Sequence, residues 1–364
     1  MTTKTIGIIG GGQLGRMLAM AAARLNFETV ILEPQAGCPA AQVANRQIIA
    51  AYDDPEGHAE LAAVCDVVTY EFENVPVEAA ESLARAVAVY PPPRALEMAQ
   101  DRLTEKRFLN DCGIPTARFH AIDSQADLEA ALVDFGGQGV LKTRRLGYDG
   151  KGQRVFRSNG DSAVGGYAAL GSVPLILESF IPFEREISII AARGLDGTLA
   201  CYDAAENVHR AGILHTSTLP ARLSPVADLA ASRAAKKLLT ALNYVGVIGI
   251  EFFALSDGSL IVNEMAPRVH NSGHWTEAAC IVSQFEQHIR AVAGLPLGNP
   301  ARHSDCVMQN LIGDDILSVP QWLKRDNVLV HLYGKTEARA GRKMGHVTEL
   351  LQPSGDGYAG KKPG

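Results

Sequence analysis

Val140-Leu141-Lys142-Thr143-Arg144-Arg145-Leu146-Gly147-Tyr148-Asp149-Gly150-Lys151-Gly152-Gln153 joins a short β-prone run to three glycines within six residues and to four cations. A solvated turn between two strands explains the glycines but not the cations packed among them. Like charges at this density repel unless an anion neutralises them, and amides in glycine turns add anion-binding capacity. A nucleotide triphosphate is the natural candidate. The spacing is not G-x-x-x-x-G-K-[ST], so the stretch is not the phosphate loop of a P-loop NTPase.

Downstream, Gly249-Ile250-Glu251-Phe252-Phe253 and Leu260-Ile261-Val262-Asn263-Glu264-Met265 each place a glutamate in an almost purely apolar strand, with the turn Ser256-Asp257-Gly258 between them. A buried, unpaired carboxylate costs several kcal/mol, so each needs a cationic partner. An Arg or Lys salt bridge is the plain reading. Mg²⁺, which prefers hard oxygen ligands and bridges phosphates, is the sharper one. The next segment, Ala266-Pro267-Arg268-Val269-His270-Asn271-Ser272-Gly273-His274-Trp275-Thr276, is a dense polar loop. Its histidines could simply cap loops, but beside Arg268, Asn271 and Ser272 they read as part of a substrate loop.

Upstream, Thr5–Ile9 is a β-branched run followed by Gly10-Gly11-Gly12-Gln13-Leu14-Gly15 and a helical stretch, with Glu33 closing a second strand at 28–32. This fits the dinucleotide fingerprint. It fits equally a tight strand-to-helix turn without a ligand, or a phosphate site for another substrate.

The first ninety residues alternate β and α, the pattern of an open parallel sheet. Pro91-Pro92-Pro93 marks a domain edge. Residues 94–112 read as one or two helices. Residues 118–181 form a small α+β unit, followed by strands at 186–192, 246–253 and 259–264 and helices at 229–242 and 285–292. The chain therefore divides into a Rossmann-like N-terminal domain (1–93), a central region (94–295) with a small lid at about 117–181, and a C-terminal domain (296–364). Of its 364 residues 47% are hydrophobic and 20% charged, with a formal charge of −6, ordinary values for a soluble globular protein. A mildly acidic chain is a poor general binder of nucleic acid or of anionic membrane. No apolar run approaches the roughly 18 residues of a membrane span, and the N-terminus does not read as a signal peptide. The six cysteines lack metal-site spacing, and reduced thiols in a cytoplasmic protein are the expectation.

On these motifs, together with Asp101-Arg102-Leu103-Thr104 and Gly341-Arg342-Lys343-Met344-Gly345-His346, essentially the whole chain resembles the ATP-grasp superfamily. Within it, the chain resembles the N5-carboxyaminoimidazole ribonucleotide synthetase family of purine biosynthesis. The resemblance implies an α/β and α+β ATP-grasp ligase, cytoplasmic and homodimeric, that uses ATP and Mg²⁺. It would join bicarbonate to 5-aminoimidazole ribonucleotide through carboxyphosphate, with a transient contact to the downstream mutase. ATP would meet Arg102, Lys142, Gly147, Tyr148, Asp149, Gly150, Lys151, Gly152, Gln153, Glu178, Ser179, Phe180, Ile181, Glu186, His209, Asn263 and Glu264. Mg²⁺ would be held by Glu251 and Glu264. The ribonucleotide would meet Gly12, Gln13, Leu14, Glu73, Tyr148, Asn271, Ser272, His274 and the basic cluster Lys335, Arg342, Lys343. Arg268 and Lys142 would be catalytic, Arg268 also binding substrate. The alternatives are another ATP-grasp ligase using formate or biotin, an NAD-dependent oxidoreductase resting on the first glycine turn and Glu33, and a catalytically inactive binding module.

Overall fold

A computed structural model describes residues 4–147, 150–158 and 160–351. Five parallel strands open the chain: β1 (Thr5–Ile9), β2 (Glu28–Leu32), β3 (Arg46–Ile48), β4 (Val67–Tyr70) and β5 (Ala88–Val89), in the order β3-β2-β1-β4-β5. Helices α1 (Gln13–Arg24), α2 (Pro55–Val64) and α3 (Val77–Ala84) connect them. A parallel sheet covered on both faces needs apolar strands, and β1 and β4 are almost entirely buried. The region 94–112, read as one or two helices, is two, α4 (Pro93–Ala99) and α5 (Arg102–Asp111). Asp101 separates them because its carboxylate accepts the Leu103 and Thr104 amides and so caps α5.

A four-stranded antiparallel sheet follows: β6 (Phe119–Ile122), β7 (Gly139–Thr143), β8 (Gln153–Phe156) and β9 (Leu175–Ser179), in the order β6-β9-β7-β8. Helices α6 (Gln125–Asp134) and α7 (Gly166–Ala169) belong to this unit, whose small core includes Leu128, Leu141, Phe156 and Leu177.

The remaining strands form one antiparallel sheet: β10 (Arg185–Arg193), β11 (Leu199–Cys201), β12 (Ala205–Arg210), β13 (Ile213–Leu219), β14 (Gly246–Ala254), β15 (Leu260–Ala266), β16 (Asp305–Ile312), β17 (Val328–Leu332) and β18 (Lys343–Leu351). Its order is β15-β14-β10-β12-β13-β16-β18-β17, with β11 paired to β10. The C-terminal strands therefore extend the central sheet through the β13–β16 pairing. Helix α8 (Pro225–Ala241), capped by Ser224, packs on β10 and β15, whereas α9 (Thr276–Ala279) and α10 (Gln284–Val292) follow the polar loop after β15. One core joins the parallel sheet to the large sheet, bringing Ile6, Leu18, Trp275, Phe285 and Met308 together. No helix among the described residues is long and apolar enough to cross a membrane.

Candidate active site

The three sheets meet around a cavity of about 910 Å³. Its floor is the β14–β15 hairpin. Glu251 and Glu264 are directly opposed across this ladder, an arrangement that is unfavourable for two ionised carboxylates. Burial and the Glu264 charge push Glu251 well above the usual carboxylate range. Glu264 is held low in spite of burial, because the Arg102 guanidinium lies 2.8 Å from its Oε2. His270 Nε2 is 3.7 Å from Glu251 Oε1, but burial and the neighbouring Arg268 push His270 down to about 3, so it is no counter-ion. Gly249 allows this approach, since a Cβ there would lie 2.6 Å from the His270 Cβ. Two opposed carboxylates, of which Glu264 is bonded to Arg102 while Glu251 feels His209 and Lys343 only at longer range, are a donor set that fits a hard divalent ion.

Beside the carboxylates stand Arg102, Lys142 and the second glycine turn. Arg102 is the first residue of α5, and its second nitrogen reaches the Gly147 carbonyl at 3.4 Å. Lys142 is on β7, with its Nζ 3.1 Å from Glu178 Oε2, and Lys106 approaches the same oxygen at 3.2 Å. Burial pushes Lys142 down, while Glu178 is held low by the two lysines despite its own burial. Arg144 grips Asp101 with contacts of 3.0 and 2.8 Å, and Arg145 lies 3.6 Å from it. The demand for an external anion inferred from the crowded cations is thus partly met inside the protein. Lys142 has Glu178, and the two arginines have Asp101, a carboxylate 43 residues before Arg144 that the local reading did not connect to them.

Further along the cavity, Glu186 bonds His209 Nδ1. Burial disfavours the charged His209, but the Glu186 bond and the surrounding carboxylates raise it above its ordinary value. Asn263, Gly150, Lys151, Gly152, Gln153 and Phe180 also line the space. Glu178, Ser179 and Ile181 do not, the Glu178 side chain being turned to the lysines. Tyr148 and Asp149 lie outside the described residues. Phe183, stacked on Phe253 with centroids 4.6 Å apart, supplies an apolar wall that the sequence reading missed. The adjacency of Phe183 to the 178–181 segment was the available signal.

At the opposite end, Arg268 bonds the carboxylate of Glu73, and both side chains are partly exposed to the cavity. Asn271 lines the cavity, whereas Ser272 and His274 are fully buried behind it. Ser272 Oγ meets His270 Nδ1 at 2.8 Å, and His274 Nδ1 meets Gln284 at 3.1 Å. Lys335 Nζ donates to Gln13 Oε1 at 2.6 Å and to the Lys343 carbonyl at 2.7 Å, so the start of α1 and the C-terminal basic cluster share one corner with Arg342.

The first glycine turn is already occupied. The Gly12 amide donates to one oxygen of Glu71, and the Gly15 amide donates to the other at 2.6 Å. The Gly11 amide donates to Glu33 at 2.9 Å, as does the Tyr52 hydroxyl. A Cβ on Gly12 would stand 2.6 Å from Glu71. These carboxylates sit where a dinucleotide pyrophosphate would lie, which removes the physical basis of the oxidoreductase alternative. Of the three turn residues expected to meet substrate, Gly12 has its amide committed to Glu71. All three, Gly12, Gln13 and Leu14, nevertheless line the cavity.

Three family models match the chain: a ribonucleotide synthetase preATP-grasp domain over residues 3–100, an ATP-grasp domain over 107–285 and a phosphoribosylaminoimidazole carboxylase C-terminal domain over 306–354. The chain is 66% identical to the N5-carboxyaminoimidazole ribonucleotide synthase of Brucella melitensis, over 95% of this chain and 96% of that one. It superposes on the ADP complex of an N5-carboxyaminoimidazole ribonucleotide synthetase with a TM-score of 0.92 and 42% identity, covering 96% and 94% of the two chains. The Aspergillus clavatus enzyme in complex with ADP and 5-aminoimidazole ribonucleotide gives a TM-score of 0.90 and 31% identity, with the same coverage.

Proposed function

The chain belongs to the N5-carboxyaminoimidazole ribonucleotide synthase family of ATP-grasp ligases, and on that premise we propose a division of labour within its cavity. The reaction is the ATP-dependent carboxylation of 5-aminoimidazole ribonucleotide in purine biosynthesis. The observation that carries the site assignment is that a single cavity joins the paired carboxylates and the Lys142 loop to Arg268 and the Lys335–Gln13 corner.

ATP lies between β7–β8 and the β14–β15 hairpin. Lys142, Arg102, Gly147 and residues 150–153 cradle its phosphates, Glu186 and His209 take ribose hydroxyls, and Phe180 with Phe183 frames the adenine. Glu251 and Glu264 would hold Mg²⁺, which when bound would neutralise charge spreading over the phosphoryl oxygens. The protein's own contribution is positioning and field. Arg102 and Lys142 fix the terminal phosphoryl group for in-line attack by a bicarbonate oxygen. Arg268, oriented by Glu73, holds the resulting carboxyphosphate while the amine of the ribonucleotide attacks its carboxyl carbon. The Lys142–Gln153 segment excludes water from this short-lived intermediate. Lys335, Arg342 and Lys343, with Gln13 and Leu14, take the ribonucleotide phosphate, and Asn271 faces the same substrate.

ADP release, followed in a coupled assay, should require both bicarbonate and the ribonucleotide, and labelled bicarbonate should enter the product. Release driven by formate would overturn the assignment. We extend the proposal to a cytoplasmic homodimer that hands its labile product to a mutase. Light scattering after size-exclusion chromatography tests the dimer.

A further inference from the structure

Outside the groups used above, Glu277 on α9 meets two histidines from the edge of the large sheet. His331 on β17 and His346 on β18 are directly opposed partners, so their side chains share a face. Their rings are nearly parallel, 11° apart, with centroids separated by 5.3 Å. Glu277 Oε2 lies 3.1 Å from His331 Nδ1 and 3.6 Å from His346 Nε2. One ligand atom from each residue falls within 4.8 Å of the other two.

A carboxylate hydrogen-bonded to imidazoles would account for the proximity but not for the alignment. Both Glu277 Oε2 and His346 Nε2 are buried atoms that make no geometrically sound hydrogen bond among the described residues. Buried polar atoms left in this condition need an explanation, such as a missing ion. The far side of His346 is also arranged as a ligand's would be. Its Nδ1 is 2.9 Å from the Tyr333 hydroxyl. An Nδ1–H donated there leaves the Nε2 lone pair facing Glu277, the outer contact that orients a metal-bound histidine.

We propose that Glu277, His331 and His346 form a binding site for one divalent transition-metal ion of the Zn²⁺ class, separate from the Glu251–Glu264 pair. Two imidazoles and a carboxylate suit Zn²⁺, Co²⁺ or Ni²⁺, whereas Mg²⁺ prefers oxygen donors alone. With metal–ligand distances of about 2.0–2.2 Å, tetrahedral donors stand roughly 3.5 Å apart, close to the two carboxylate–imidazole separations given above, and the two imidazole nitrogens, within 4.8 Å of each other, would draw together as the ion binds. The Glu277 and His331 side chains lie near the surface, 21% and 11% exposed. The ion would tie β17 and β18 to α9. Lys335 follows His331 closely in the chain and Lys343 shortly precedes His346, so the same tie would steady the basic corner. The inference stands on these side chains and does not depend on the assignment of substrates.

The test uses the full chain, stripped with a chelator and held in excess Mg²⁺ so that Glu251 and Glu264 do not compete. Titration with Co²⁺, read by visible d–d absorption, should show one bound ion. Zn²⁺ should displace it. Affinity should fall at least tenfold in His331→Gln and in Glu277→Gln, yet hold in Glu251→Gln. Absence of the cobalt spectrum, or unchanged affinity in both site variants, would overturn the proposal. Should either variant misfold, the unaltered protein decides: Zn²⁺ should raise its Tm and a chelator should reverse the rise. No shift refutes the site.

Discussion

In the Gly10–Gly15 turn the amides of Gly11, Gly12 and Gly15 point into the carboxylates of Glu33 and Glu71, whereas Gly147, Gly150 and Gly152 line the cavity with Lys142 and Arg102. Both segments are glycine-rich and follow a strand. What separates them is the charge that the fold brings alongside. Glu33 and Glu71 follow the ends of β2 and β4, the neighbours of β1 on either side, and they close the first turn as internal anions. Around the second, carboxylates hold the cations instead: Glu178 for Lys142, Asp101 for Arg144. These ion pairs orient the cations within the protein, and the anion proposed to meet them is a phosphate. A glycine turn is therefore only the capacity to bind an anion, and the fold determines whether that anion is a side chain or a substrate.

The sharpest way to break this contrast is on the phosphate side. Glu264→Gln should cut turnover by about two orders of magnitude or more and raise the Mg²⁺ needed for half-maximal rate. A near-normal rate at unchanged Mg²⁺ would remove Glu264 from the metal site. Arg268→Ala should lose about 100-fold in turnover, the cost of removing a charged group that stabilises a developing anion, with ADP binding by calorimetry retained. On the internal side, Glu71→Ala leaves two amides without their acceptor, at about 1–3 kcal/mol each. It should lower Tm by several degrees while the KM for ATP stays unchanged. A stable variant would show that the turn does not depend on its carboxylate plug.

Smaller effects refine the picture. Lys343→Ala should raise the KM for the ribonucleotide about tenfold, the loss of one charge-assisted contact, and leave that for ATP nearly unchanged. An effect on ATP alone would redraw the corner. Glu105, whose Oε1 accepts the Met265 amide at 2.6 Å, is pushed up to about 8 by burial and by Glu264. It holds its proton more tightly folded than unfolded. The associated stability is fully present below the ordinary value of 4.5 and is lost as pH rises through about 8. Urea midpoints should therefore decline across this window, and Glu105→Gln should flatten the decline.

Much of the architecture was readable from local pattern. The runs at Thr5–Ile9, Glu28–Leu32 and Gly246–Ala254 are apolar enough to identify themselves as strands. The hairpin spacing of Glu251 and Glu264 anticipated two neighbouring strands. Strands β3 and β12 were missed because Arg46-Gln47-Ile48 and Ala205-Glu206-Asn207-Val208-His209-Arg210 are polar, and sheet neighbours, not local propensity, make them strands. Helix α8 begins four residues before the apolar pattern suggested, since Ser224 caps it and Pro225 fits its first turn.

By itself, the sequence determined the element types, the glycine turns, the strand glutamates and the family, because each is written in residues close together along the chain. The partners of the charges that shape the site were decided only by tertiary structure. Glu71 is fifty-nine residues from Gly12, Glu73 is 195 from Arg268, and Gln13 is 322 from Lys335. A carboxylate becomes a plug, a counter-ion or a metal ligand according to which amides and cations stand within about 3 Å of it, and only the folded chain sets that distance.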